Sequence, residues 1–131
     1  MASIIADGTH VDLEMVKMTY KVMKDRLFLI TDAVTECGIG PYQHQLRGDK
    51  FVTPDGILSG SNITLLQAVH NCVQHCDISL SQALRLASAN PAKLMSLAGK
   101  KGSLSEGNDA DLLFLSPELK LTKVFVKGLH I

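Results

Sequence analysis

The sequence predicts an α/β fold built on parallel strands, and two observations carry that prediction. Ile4-Ile5-Ala6 and the run "RLFLI" at 26–30 are short apolar stretches without polar alternation, the pattern of strands covered on both faces. Between them Leu13, Val16, Tyr20 and Met23 recur at helical spacing behind Asp12, a good helix cap, with Lys17, Lys21 and Lys24 directed elsewhere. A strand, a helix and a second strand in this order make a β-α-β unit.

Residues 33–61 read as a long connection carrying a small hairpin. Gly48-Asp49 and Pro54-Asp55-Gly56 are turn signals around β-like segments 42–47 and 50–53. A second helix is expected after Ser61 or Asn62 as cap, with Leu66, Val69, Val73 and Cys76 on its apolar face. Ser79 and Gln82 form a capping box that opens a third helix, and Asn90-Pro91 caps and starts a short fourth. From Gly99 the chain is rich in turn residues, with strand candidates at 111–115 and 121–127, the latter stopped by Gly128. A boundary is placed near residue 99.

With 131 residues, 46% of them hydrophobic and 20% charged, the chain has the composition of one soluble globular domain able to bury a core. Thirteen basic residues balance thirteen acidic ones without a charged block, which argues against nucleic acid or an anionic membrane as partner. No run has the ~20 apolar residues of a membrane span, and the start lacks a signal peptide's features. Three cysteines form no disulfide framework, so a reducing, cytoplasmic setting is expected.

Both apolar strands end in polar residues, the first in Asp7-Gly8-Thr9-His10 and the second in Thr31-Asp32. Carboxyl ends of parallel strands are where α/β folds place ligands, because the loops there vary while the sheet holds their bases. The plainer reading, that Asp7 and Asp32 cap the segments after them and His10 sits in an ordinary loop, stays open at this point.

Five ordered blocks make the reading more specific: "IIADGTHV" at 4–11, "LITDAV" at 29–34, "LSGS" at 58–61, "ANPAKLMSL" at 89–97 and "KGSLSEGNDADLLFL" at 101–115. In order and spacing the chain resembles the carboxy-terminal third of the N-acetylglucosamine-6-phosphate deacetylase family, within the amidohydrolase superfamily. The resemblance implies that residues 1–98 supply strands 7 and 8 of a (β/α)8 TIM barrel with their helices, and that 99–131 belong to a small β-sandwich domain. A whole barrel takes ~250 residues, so the chain is expected to be a fragment, opened by an added Met1-Ala2 and inactive by itself.

The resemblance further implies a linear amide hydrolase that converts N-acetylglucosamine 6-phosphate to glucosamine 6-phosphate and acetate. Asp32 is then the catalytic acid/base, and Asp7, Gly8, Thr9, His10, Leu58, Ser59 and Gly60 bind the amino-sugar phosphate. A divalent metal, zinc or iron, is implied for the intact enzyme, held by a Glu and two His that lie outside this chain, so no metal ligand is assigned here. A homodimer is implied for the intact enzyme. Two other functions stand as alternatives: another amidohydrolase, such as a cyclic-amide hydrolase or deaminase, and a non-catalytic interaction module.

Several patterns are read as structural. "HNCVQHC" at 70–76 places Cys72 and Cys76 on one helix side, but His70 and His75 are five residues apart and cannot join them closely, so the cysteines are expected in the core. "GKKG" at 99–102 lacks the strand and helix of a phosphate loop. Met15, Met18 and Met23 are assigned to core packing, and His44 and His130 to the surface.

Overall fold

The computed structural model describes all 131 residues. Strand β1 (Ala2–Ile5), helix α1 (Leu13–Met23) and strand β2 (Leu27–Ile30) form the β-α-β unit, and the strands pair in parallel with Ile4 opposite Leu29 and Ile5 opposite Ile30. The α1 cap is Asp12, whose side chain accepts the Glu14 N–H. Hairpin β3 (Gln45–Arg47) and β4 (Lys50–Val52) comes next, then α2 (Leu65–His75), α3 (Leu80–Ala87) and α4 (Ala89–Leu94). The chain closes on an antiparallel three-stranded sheet, β5 (Leu112–Leu115), β6 (Leu121–Val126) and β7 (Leu129–His130). The turn signals of the sequence do not anticipate β7, which doubles back at Lys127-Gly128, both at positive φ. No helix is long and apolar enough to cross a membrane.

The core lies between the β1–β2 pair and the helices, with Val16, Leu27, Val69, Cys72, Ile78 and Leu86 at its centre. In β2 only Leu27 and Leu29 are buried, while Phe28 and Ile30 are half-open. The expectation of strands covered on both faces therefore fails: the helices cover one face of this two-stranded sheet and nothing in the chain fully covers the other. The outer side of α1 is likewise open. Met23 packs on the core, but Met15 and Met18 are exposed, because a helix can turn only one side to the sheet and Leu13, Val16 and Tyr20 occupy it.

Two helix starts differ from expectation. Thr64, not Ser61 or Asn62, caps α2, accepting the Gln67 N–H. Helix α3 opens on the expected box, in which the Ser79 side chain accepts from Gln82 N–H and the Gln82 side chain accepts from Ser79 N–H. Helix α4 begins before Asn90 and has no side-chain cap.

Asn90 is instead buried within α4, and its side-chain amide donates to the Leu27 carbonyl at 2.7 Å, tying the helix to the start of β2. Asn71 on α2 does the same at the other end of the sheet, donating to Ala6 O at 2.8 Å, one residue before Asp7. Asn90→Ala removes this buried hydrogen bond, so an unfolding free-energy loss of about 1–3 kcal/mol is expected, measurable as a lower urea midpoint at unchanged slope.

Gly102 seats the last part of the chain on α4. Its φ is +84°, and a Cβ there would lie 2.9 Å from Ala89 Cα, Ala92 Cβ and Ser88 O. Just before it, Lys101 bridges Asp109 and Asp111 with its ammonium, closing the loop that leads into β5.

Candidate functional site

The turn after β1 is built by Asp7 and Gly8. Asp7 Oδ1 accepts the backbone N–H groups of Thr9 at 3.0 Å and His10 at 2.9 Å. Gly8 takes φ +74°, where a side chain is strained, so the chain can double back within two residues. His10 is thereby swung against the carboxylate that made the turn: its Nδ1 lies 2.7 Å from Asp7 Oδ2. Its Nε2 lies 2.5 Å from the carbonyl oxygen of Ser59.

Both neighbours of the imidazole are acceptors. A neutral imidazole has one N–H, so only the imidazolium can donate to both. Burial lowers the His10 pKa, but the hydrogen bonds to Asp7 and Ser59, with the charges of Asp7 and Asp32, outweigh it and leave the pKa raised. Burial likewise pushes Asp7 up, and the bonds from His10 and the two backbone amides bring it below the usual carboxylate value.

The pair has a pH signature. A raised His10 pKa contributes stability that is complete below the unfolded value of ~6.5 and is lost as pH rises through the folded value. The lowered Asp7 contributes stability present above ~3.9 and lost as pH falls through its folded value. Thermal unfolding is therefore expected to show Tm falling as pH rises through and beyond neutrality, and His10→Gln is expected to flatten that limb. A parallel decline in both proteins would assign it to other groups.

The second strand end, at Asp32, is held by the same loop. The backbone of Asp32 is left-handed, φ +49°. Ser61 N–H donates to Asp32 O at 2.8 Å, Ser61 O accepts the Val34 N–H at 3.1 Å, and Ala33 and Ser61 form a parallel bridge. Gly60 lets this happen: a Cβ there would lie 2.7 Å from Asp32 O and 2.3 Å from Val34 Cγ1. Residues 59–61 thus fasten the ends of β1 and β2 together, Ser59 through His10 and Ser61 through Asp32.

The hairpin is attached to this loop as well, since Ser59 N–H donates to Phe51 O at 2.9 Å and Val52 pairs with Leu58. Asp7, Thr9, His10, Lys50, Gly60 and Ser61 are among the residues around a polar cavity of about 20 Å³. That is room for a single water; a hexose phosphate could only lie above it.

Of the residues singled out in the sequence, Asp7, Thr9, His10 and Gly60 line this cavity. Gly8 shapes the turn, and Ser59 offers its carbonyl to His10 while its hydroxyl is buried without a partner. Asp32 is exposed at the neighbouring strand end, and Leu58 is turned outward. Lys50 and Ser61 also line the cavity, and sequence reasoning misses them. Ser61 stands last in "LSGS", next to three residues that it does find, but its type suggests a helix cap.

The donor set does not suit a divalent ion. No three His, Cys, Asp or Glu side chains converge in the chain, and both nitrogens of His10 are committed. Cys72 and Cys76 lie in the core; burial pushes the Cys72 thiol up to about 12 and Cys76 upward too, the opposite of what a thiolate ligand needs. These residues do not fit a metal seat.

Adjacent parallel strands that end in a carboxylate and an imidazole, joined by one glycine-containing loop, place the chain among α/β proteins with a site at the strand ends. Comparison with known proteins makes this specific: the chain belongs to the amidohydrolase family, whose model matches residues 3–130. It is 32% identical over 132 residues to the N-acetylglucosamine-6-phosphate deacetylase of Vibrio furnissii, covering 95% of this chain and 33% of that protein. It is 31% identical to a putative N-acetylgalactosamine-6-phosphate deacetylase of Escherichia coli K12, covering 95% of this chain and 79% of that protein. The crystal structure of N-acetylglucosamine-6-phosphate deacetylase from Pasteurella multocida superposes with a TM-score of 0.90 at 30% identity, over 96% of this chain and 35% of that one. The chain spans about a third of the length of most curated deacetylases it matches.

Proposed function

We propose that this chain carries the proton-transfer group and the substrate-orienting imidazole of an amidohydrolase that deacetylates an N-acetylated hexosamine 6-phosphate, N-acetylglucosamine 6-phosphate first among them. The observation that carries the reading is the 59–61 loop, which fastens His10 through Ser59 O and the Asp32 backbone through Ser61 N–H, so that both strand ends are held by one segment. The names of the relatives support the substrate class.

In this reading the Asp32 carboxylate takes a proton from the water that attacks the acetyl carbonyl. As the C–N bond breaks, Asp32 returns that proton to the departing amine, leaving acetate and the free amino sugar. His10, held as imidazolium by Asp7, donates to a substrate oxygen in place of Ser59 O. Residues 1–98 correspond to strands 7 and 8 of the barrel with their helices, and 99–131 to the sandwich strands. The zinc or iron ion is held by residues this chain does not supply, and the working enzyme is a cytoplasmic homodimer.

The test is complementation. The chain is mixed with the complementary two-thirds of a related deacetylase and a divalent ion, and acetate release is monitored from N-acetylglucosamine 6-phosphate and N-acetylgalactosamine 6-phosphate. A dihydropyrimidine and adenosine serve as controls. Metal-dependent acetate release from an amino-sugar phosphate is expected, with none from the chain alone. Turnover of a control instead, or a soluble monomer that gains nothing from its complement, would overturn the proposal.

A further inference from the structure

We propose that Ser61 is a positioning residue for Asp32: it holds the backbone of the strand end in the left-handed conformation from which the carboxylate projects. Strand β2 is extended through Ile30, yet two residues later Asp32 sits at φ +49°, a region that L-residues other than Asn and Asp enter rarely. Thr31 Oγ1 accepts the Ala33 N–H across it at 3.4 Å, and the hydrogen bonds that brace it from outside the turn come from one residue. The Ser61 N–H donates to Asp32 O at 2.8 Å, its carbonyl accepts the Val34 N–H at 3.1 Å, and its hydroxyl donates to Thr31 O. The same hydroxyl accepts the Ile63 N–H at 3.4 Å, so its orientation is fixed from both sides.

Ser61 is buried, 1% exposed, and has no duty at the helix, since Thr64 caps α2. Its hydroxyl is therefore spent on the residue before Asp32, and its backbone on Asp32 itself and Val34. Alanine keeps the two backbone bonds and loses the hydroxyl bond to Thr31 O, the only side-chain bond that Ser61 makes to the peptide between Thr31 and Asp32. Without it, Asp32 relaxes toward the conformation of the preceding strand.

The inference rests on the reading of Asp32 as the proton carrier, but its primary test does not. In the isotope-labelled full chain, positive φ gives Asp32 a strong intraresidue HN–Hα NOE. That NOE is expected in the wild type, kept in Ser61→Thr, weakened in Ser61→Cys and lost in Ser61→Ala, with the resonances of Val16 and Leu86 marking an intact core. Should the alanine variant not fold, the near-isosteric cysteine variant decides. A wild type without the NOE, or a folded Ala or Cys variant that keeps it in full, overturns the proposal.

In the complemented enzyme, Ser61→Ala is expected to lower kcat by roughly 100-fold, the scale of a small misplacement of a reacting group, with KM unchanged. A loss confined to KM would also overturn it. If no complement yields deacetylation of any amino-sugar phosphate, the functional reading fails while the NOE still settles the role of Ser61.

Discussion

Asp32→Asn is expected to slow acetate release by the complemented enzyme by about 10²–10⁴-fold, the range contributed by one positioned acid/base group. The substitution is chosen because it isolates proton transfer. Asparagine has the same shape and tolerates a left-handed backbone as aspartate does, so the strand end keeps its form. The side chain is exposed, so stability is expected to stay within about 0.5 kcal/mol. The amide simply cannot accept and return a proton. Steady-state rates and a urea titration on the same preparation check both halves, and an unchanged rate would remove Asp32 from the chemistry.

Gly60→Ala is expected to damage both the fold and the site. The difficulty is space, because Gly60 is not at positive φ. The new methyl would meet Val34 Cγ1 at 2.3 Å, which rotation of that side chain could ease, but also Asp32 O at 2.7 Å, which is backbone and can yield only by moving the strand end. Overpacking of this kind costs about 1–3 kcal/mol, and displacement of Asp32 by even a fraction of its length is expected to lower kcat of the complemented enzyme by roughly 100-fold. The urea midpoint and kcat are expected to fall together. A normal kcat in a destabilised protein would mean that the loop yields rather than Asp32.

Local chemistry is the part of the fold that the sequence makes legible. Asp12 and the Ser79–Gln82 box act on amides two or three residues away, and the hairpin turns carry their own glycines, so these features announce themselves. The polar strand ends are legible for the same reason: Asp-Gly-Thr-His is a turn whose carboxylate binds its own backbone. The failures are bonds between residues distant in sequence. Asn90 reaches Leu27 across 63 positions and Ser61 reaches Thr31 across 30, and nothing near either residue signals it.

Competition between equivalent groups accounts for the rest. "SGSNIT" offers Ser61, Asn62 and Thr64 as caps, and burial of Ile63 settles on Thr64 only in three dimensions. On helix α1 periodicity picks out the side the sheet takes, Leu13, Val16, Tyr20 and Met23, and the error lies in counting the apolar Met15 and Met18 with it. The distribution of site residues obeys the same division. His10 and Asp32 are visible as strand-end chemistry, whereas Lys50 is brought to the cavity by a hairpin whose docking depends on Phe51 and Ser59.

The seat of Gly102 on α4 means that the segment leading into the three-stranded sheet lies directly on the main chain of Ser88 and Ala89 and the methyl of Ala92, with no long side chain to act as a cushion. Contacts of that kind transmit displacement without damping. Evolutionary change in this portion of the chain has room to lengthen or shorten the exposed stretch after Gly102, yet at the seat itself the loop and the helix must drift as one piece.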